Sequence, residues 1–338
     1  MTKRVNWGYY WTHDKALICA RLAERRAALT ICLKTKDDAC FLERWITHHA
    51  QIVGLRNLVI FDNMSTSDDV WRIYGKYAGE LLVVQFEGHC DALHHPEVYR
   101  ELYGALKQST AFCAFLDTDE FLIRMVGAGF HADASIVDFI QSCGEVNWLP
   151  GTWLHNAFRS DSVFQCGSDM SVLIGGLTRG KPIVRPSAIV GGCVLHNWQL
   201  YSNITASRTH TNLFLLHRKN LSVERRIAVL MCKIARQSKL HHSARVRTFV
   251  SDDDDLQAIL AKETDYLTPN LKQQVSELRS VVKFREKNDS TVDKLEAGHV
   301  RFCADGKIEY FSDTEKKLFR QFLEEPDAMT RRAFRPDH

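Results

Sequence analysis

The chain has 338 residues, 45% of them hydrophobic and 25% charged, with a formal net charge of +3; that suits one main soluble domain with appended segments and is too weakly basic to point to nucleic acid. Its ten cysteines, at positions 19, 32, 40, 90, 113, 143, 166, 193, 232 and 303, form no CxxC pair and stand mostly in apolar runs, so reduced core thiols of a cytosolic protein are expected rather than a disulfide framework. The opening MTKRVNWGYYWTHDK lacks the apolar stretch of a signal peptide, and no later run approaches the roughly 20 apolar residues of a membrane span.

In chain order, Asp14–Arg26 carries Leu17, Ala20 and Leu22 on one side and ends in Arg21, Arg25 and Arg26, which reads as a leader helix or arm over residues 1–27. A domain over 28–245 follows. Ala28–Lys34 predicts a first strand, and Phe41–Val53 a helix whose Phe41, Leu42, Trp45, Ile46, His49, Ile52 and Val53 recur at 3.6 spacing before Gly54 stops it. Leu58–Phe61 predicts a second buried strand ending at Asp62-Asn63. Ser65–Asp69 then supplies an N-cap and an acidic first turn for a helix through Val70, Ile73, Tyr74 and Tyr77. Strand Leu81–Phe86, helix Pro96–Gln108 and a strand before Asp117 complete a βαβαβαβ series. That alternation predicts an α/β fold with a Rossmann-like, mostly parallel sheet and helices on both faces.

In AFCAFLDTDEFLIR, at Ala111–Arg124, an apolar run ends in Asp117, Asp119 and Glu120 and then becomes apolar again. Three neighbouring carboxylates cannot all stay ionised in a dry pocket without a cation, so a divalent metal or a solvated cleft is implied. Carboxylates at i and i+2 can both reach one hard cation such as Mg²⁺ or Mn²⁺, which in turn can grip a diphosphate. The plain alternative is an acidic surface turn. A parallel sheet keeps its ligands beyond the carboxyl ends of its strands, and three strands here end in acids: Asp37-Asp38, Asp62, and Asp117–Glu120. Asp38 and Asp62 would stand where a base edge or ribose hydroxyl can donate to them.

Farther along, Ala134–Cys143 predicts a helix and Glu145–Leu149 a strand, after which Trp148, Trp153, His155, Phe158 and Arg159 make an aromatic-rich segment suited to a sugar ring. KPIVRP at Lys181–Pro186 is basic and rigid, placed to steer a pyrophosphate or only to edge the sheet. Of the histidines, the adjacent pairs His48-His49, His94-His95 and His241-His242 are poor chelating sets, while His196 and His217, each ending an apolar run, are candidates for metal or acceptor work. Leu213–Leu216 predicts a strand and Ser222 the cap of a helix through Ile227, Leu230, Met231 and Ile234. Residues 246–338 are expected to form a mainly helical extension, with an acidic run at Asp252–Asp255, a helix at Leu271–Lys287, a hairpin at Val300–Tyr310 and a helix at Asp313–Leu323.

The run KDDACFLERWITHHAQIVGLRNLVIFDNMSTSDD followed by FLDTDEFL resembles the family 2-like and family 92-like glycosyltransferases of GT-A fold, with their paired histidines, DN-x-STD turn and FLD-x-DEF motif. Weaker likenesses extend to TWLHNAFRSDS, KPIVRP, VLHNW and LLHRKNLSVERRIAVLMCKIARQ, about Ala28–Gln237 in all. The resemblance implies a divalent-metal-dependent transfer of a sugar from a nucleotide-diphosphate sugar to a hydroxyl acceptor on a glycan, a lipid-linked chain or another molecule. It puts Lys36, Asp38, Asp62, Asn63, Asp117 and Arg185 at the nucleotide, Asp117 and Asp119 in the DxD motif, and His217 in the metal shell (Mn²⁺ or Mg²⁺). For the base that deprotonates the acceptor it leaves two carboxylates, Glu120 and Asp161. Departures are Asp37-Asp38 where the family has Asn-Glu, Arg218 where a Tyr follows the late His, and FRSDS where the family has FGSSG. A metal-dependent nuclease or phosphatase using the same acids, or a noncatalytic carbohydrate-binding or assembly protein, stays open, as do the donor, the acceptor, peripheral membrane contact and the oligomeric state.

Overall fold

A computed structural model describes residues 8–88, 90–166, 173–174, 177–189, 196–197, 211–237, 269–287 and 294–324. The acidic run at 252–255, the histidines at 241 and 242 and most of the 194–198 motif lie outside them. The chain divides into two compact units, one made of Met1–His155, Phe164–His217 and Glu296–His338 and the other of Asn156–Val163 and Arg218–Leu295. These units do not follow the boundaries at 27/28 and 245/246 expected from composition, because the last hairpin and helix group with the large sheet.

The first unit begins with β1 (Tyr9–Tyr10), α1 (Trp11–Ala23), β2 (Ala27–Thr35), α2 (Ala39–Val53), β3 (Leu58–Asp62), α3 (Asp68–Lys76), β4 (Leu82–Gln85), α4 (Arg100–Ser109) and β5 (Thr110–Leu116). It continues with β6 (Glu120–Val126), β7 (Gly129–His131), α5 (Ser135–Ser142), β8 (Trp148–His155), β9 (Val163–Gln165), the short pair β10 (Leu173–Ile174) and β11 (Leu177–Thr178), β12 (Gly180–Val184) and β13 (Leu213–His217). A ten-stranded sheet runs in the order β1-β4-β3-β2-β5-β12-β8-β13-β6-β7. Its first five strands are mutually parallel, as the alternating series predicted, and β12 then enters antiparallel between β5 and β8.

Helices cover both faces because the strands are apolar on both. Cys32, Val59, Phe61, Leu82, Val84, Cys113 and Phe115 pack with Ile18, Leu22, Leu102, Tyr103 and Leu106 of α1 and α4. Against β2, β3 and β6 lies α2, which buries Phe41, Leu42, Trp45, Ile46, His49 and Ile52, the 3.6-spaced stripe of the sequence. Each such side chain contributes about 1.5–3 kcal/mol, and Trp45→Ala would cost roughly 3–5 kcal/mol. The paired histidines serve packing here. Nε2 of His49 accepts the Leu122 N–H at 3.3 Å while its Nδ1 meets the Trp45 carbonyl at 2.9 Å, and burial holds the ring neutral by pushing its pKa far down.

Chain reach explains the shape of this sheet. Leu116, at the end of β5, and Glu120, at the start of β6, are four peptide steps apart, at most about 14 Å. In the sheet, β12, β8 and β13 stand between those strands, and four spacings in a flat sheet would need about 19 Å. The sheet therefore curls and gathers the ends of β5, β8, β12, β13 and β6 around one short turn.

Two strands depart from expectation. The strand expected at Glu145–Leu149 runs as β8 from Trp148 to His155 and passes through Pro150, and KPIVRP supplies β12, an interior strand. Both tolerate proline for one reason. The N–H groups of Trp153 and Arg185 donate to Arg179 and Asn147 across this pair, and such bonded positions alternate, so Pro150 opposite Pro182 is a non-hydrogen-bonded position where no donor is lost between these two strands.

Strands β14 (His299–Phe302) and β15 (Ile308–Tyr310) form the expected hairpin and make a three-stranded sheet with β9. Helix α8 (Asp313–Glu324) ends the described chain. In the second unit, α6 (Val223–Gln237) and α7 (Pro269–Glu286) pack through Val223, Ile227, Leu230, Met231 and Ile234 against Val275, Leu278, Val281 and Val282.

Candidate active site

The acid turn closes on itself where β5 hands over to β6. The Glu120 N–H donates to the Asp117 carbonyl at 3.1 Å, and the Asp117 N–H donates to Oε2 of Glu120 at 2.8 Å. The Glu120 side chain is 0% exposed, with Oε1 accepting the indole N–H of Trp153 at 2.6 Å and Oε2 lying 3.0 Å from Nζ of Lys181. Burial pushes its carboxyl above the ordinary range although Lys181 opposes this.

Lys181 is the central cation of the turn. Its Nζ is also 2.7 Å from Oδ2 of Asp117, and its side chain is 0% exposed against 41% for Asp117. Burial acts to raise the Asp117 carboxyl, but Lys181 and then Lys34 outweigh it and hold it well below the usual range. Burial likewise disfavours the Lys181 ammonium, and Asp117 and Glu120 more than offset that, so its pKa rises.

Asp119 meets a histidine instead. Its Oδ1 stands 3.5 Å from Nε2 of His217, with the two side chains 16% and 15% exposed. His217 ends β13, in register with Glu120 on β6 and with His155 on β8. Its ring lies 4.9 Å from that of His155 and 5.3 Å from that of Trp153, and the His196 ring lies 5.4 Å from Trp153, edge to face. Burial, with repulsion from Lys181, pushes His196 down to about 3, so it is a neutral imidazole.

A divalent ion fits the Asp119–His217 pair. Donor atoms 3.5 Å apart can share an ion about 2.1 Å from each, and carboxylate with imidazole accepts first-row divalent ions. Nδ1 of His217 is buried and makes no hydrogen bond among the described residues. No group of three or more His, Cys, Asp or Glu among those residues is arranged to hold a metal.

The acids after β2 and β3 are gathered at the same end, because Thr35 of β2 is in register with Asp62 of β3, and Leu33 of β2 with Leu116 of β5. Asp38 accepts a short hydrogen bond from the Thr118 hydroxyl in the acid turn. Asp62 is fully buried; Oδ1 accepts the Ser65 N–H at 2.6 Å and Oδ2 the Tyr74 hydroxyl at 2.8 Å. Burial pushes its carboxyl up, with hydrogen bonds from Ser65 and Tyr74 pulling the other way. Asn63 donates to the carbonyls of Phe86 and Gly88 at 3.1 and 3.2 Å, and Lys36 is exposed. Asp37, with φ +49, accepts the N–H groups of Thr66 and Ser67 at 2.5 and 2.8 Å and so ties the loop after β2 to the residues just before α3, whose N-cap Ser67 makes no side-chain capping bond.

Two expected residues lie elsewhere. Arg185 directly follows β12, four residues beyond Lys181 and roughly 13 Å away. There it donates to the carbonyls of Val146 and Gly144 at 2.7 and 2.6 Å and stacks 4.3 Å from the Phe112 ring. The basic residue of KPIVRP that reaches the acids is thus Lys181. A lysine inside an apolar strand must find an acid to be buried at all, and that was the signal. Asp161 belongs to the second unit, 45% exposed and paired with Nε of Arg218 at 2.6 Å. The aromatic segment is divided as well: Trp148 is buried in the core, Trp153 and His155 stand beside Asp119 and Glu120, and Phe158 stacks on Phe284 within the second unit.

No protein-family model and no curated protein matches the chain. Among solved structures, it is similar to TarS 1–349 of S. aureus in complex with UDP-GlcNAc, at 10% identity over 84% of this chain and 99% of that one, TM-score 0.36. It is also similar to the mannosyltransferase PcManGT of Pyrobaculum calidifontis in complex with GDP-Man and Mn²⁺, at 11% identity over 82% and 96%, TM-score 0.35. A cytidylyltransferase of Leptospira borgpetersenii matches at 14% identity over 37% and 54%, TM-score 0.25. The α/β fold rests on the strand order above and not on these low scores. Among the described residues, no helix is long and apolar enough to cross a membrane.

Proposed function

We propose that this chain transfers a sugar from a nucleotide-diphosphate sugar to a hydroxyl acceptor, with Asp119 and His217 as the protein ligands of a divalent ion. The observation that carries this reading is the pairing of those side chains at 3.5 Å, at the strand ends where Asp38 and the acid turn meet. When bound, Mn²⁺ or Mg²⁺ would supply Lewis-acid neutralisation of the departing diphosphate. The chain's own residues shape the site. Asp117 and Glu120 fix the turn, Asp38 ties it to the end of β2, and Trp153 with His155 offers an apolar face and a polar edge of the kind a sugar ring takes.

Inversion at the sugar needs a base for the acceptor hydroxyl. Glu120 is shut away from solvent with both oxygens engaged, which disfavours it as that base; Asp161, the other candidate, belongs to the second unit and is paired there with Arg218. Asp62 and Asn63, turned inward, would serve a nucleotide by holding the loops after β3 and β4.

A panel of nucleotide-sugars labelled in the sugar, incubated with the protein and Mn²⁺ or EDTA, tests the reading without an acceptor. Slow, Mn²⁺-dependent release of free sugar from at least one donor is the expected result. Release of nothing from any donor, or of phosphate from simple esters instead, would overturn it.

A further inference from the structure

We propose that Lys181 is the positioning residue of the acid turn, an internal cation that locks Asp117 and Glu120 in place and so leaves Asp119 with His217 to meet an external one. Its Nζ bridges the two carboxylates at 2.7 and 3.0 Å from a side chain with no exposure, so it cannot touch a ligand. The role it can have is to act through the acids it holds.

The strand carrying it is shaped for this delivery. Lys181 faces Gly151 in a bonded pair of β12 and β8, and a Cβ on Gly151 would come 2.9 Å from the Lys181 carbonyl oxygen. Gly180, at φ +153, would drive a Cβ to 1.8 Å from the Gly151 oxygen. Glycine at both positions lets the strands close up beside the lysine, and Pro182 follows it without costing a bond to β8. With the lysine removed, Asp117 and Glu120 would repel across the turn, and Asp119 would shift with the backbone between them.

The part of this inference that concerns a metal rests on the proposed function, and the part that concerns the turn does not. Lys181→Met, Lys181→Arg and the double variant Lys181→Met/Glu120→Gln should be compared with wild type by thermal unfolding and by Mn²⁺ titration alone, read by the spin resonance of the free ion. Lys181→Met should lower Tm by on the order of 10 °C, with part of the loss recovered in the double variant, whose buried carboxylate is gone. Its Mn²⁺ dissociation constant should rise at least about tenfold, with Lys181→Arg in between. An unchanged Tm in Lys181→Met overturns the inference, and so does a lowered Tm with unchanged Mn²⁺ affinity. Should wild type bind no Mn²⁺, the metal reading of the site fails, and the unfolding series alone decides for or against Lys181. Should Lys181→Met not fold, the same ranking is read between Lys181→Arg and Lys181→Arg/Glu120→Gln.

Discussion

Acids at the ends of β2 and β3 and acids at the end of β5 look alike in sequence, yet different partners answer them. Asp37 and Asp62 accept backbone N–H groups of residues 65–67, and Asp62 a tyrosine hydroxyl as well. Asp117 and Glu120 are met by a buried lysine and Asp119 by a histidine. A carboxylate held by N–H groups shapes a loop and has little left to offer a ligand. Asp119, which faces His217 across 3.5 Å, is placed to share a ligand with it. Substitution of Asp62 is therefore expected to act on stability, and substitution of Asp119 on the proposed turnover.

The largest effect is expected in the second region. Asp119→Asn should reduce metal-dependent release of sugar by roughly 10²–10³, the range for losing one preorganised electrostatic contact, while leaving Tm close to wild type. Near wild-type turnover would put Asp119 with the loop-shaping acids and dissolve the distinction. In the first region the pattern should reverse. Asp62→Ala strands the Ser65 N–H and the Tyr74 hydroxyl in the interior and should lower unfolding free energy by about 1–3 kcal/mol, measured with urea. Unchanged stability would mean that these bonds contribute nothing net.

His217→Ala sharpens the comparison on the metal side. The Mn²⁺ concentration for half-maximal sugar release should rise at least about tenfold, the low end for disturbing a metal shell. If the requirement stayed the same, the 3.5 Å approach to Asp119 would be only a structural contact.

The parallel half of the fold was legible because its signals are local. Apolar runs of strand length, the 3.6-spaced stripe of α2 and the capping residues before α3 each fix an element without reference to the rest of the chain. The acid turn was legible for a similar reason, since charge between two buried runs is conspicuous. What could not be read was pairing at a distance. Nothing near Lys181 says that β12 runs antiparallel beside β5, so the basic role in that motif went to Arg185. Asp62 read as a nucleotide contact, and its sequence position cannot show that Ser65 and Tyr74 each donate to one of its oxygens inside the fold. KPIVRP could be read as only edging the sheet, and the register alone shows that neither Pro182 nor Pro150 removes a bond between β8 and β12.

The smallest effect is one of sign. Burial raises the Asp62 carboxyl, whereas Lys181 and Lys34 lead Asp117 to a net lowering. A carboxyl raised by folding contributes stability that is fully present below its unfolded pKa, near 4, and that is lost as pH rises through its folded value. Asp117 works the other way, contributing above its unfolded pKa and losing that contribution as pH falls. In wild type the two slopes partly cancel, so the total curve is a poor probe. Asp62→Asn separates them: the amide can accept the Ser65 N–H and donate to the Tyr74 oxygen, it does not titrate, and it leaves Asp117 untouched. Urea unfolding of both proteins at steps from pH 4 to pH 7 should show wild type losing stability relative to the variant as pH rises. A difference that stays constant with pH would show that Asp62 ionises as easily in the fold as outside it, and the loop-shaping acids would then carry no electrostatic cost.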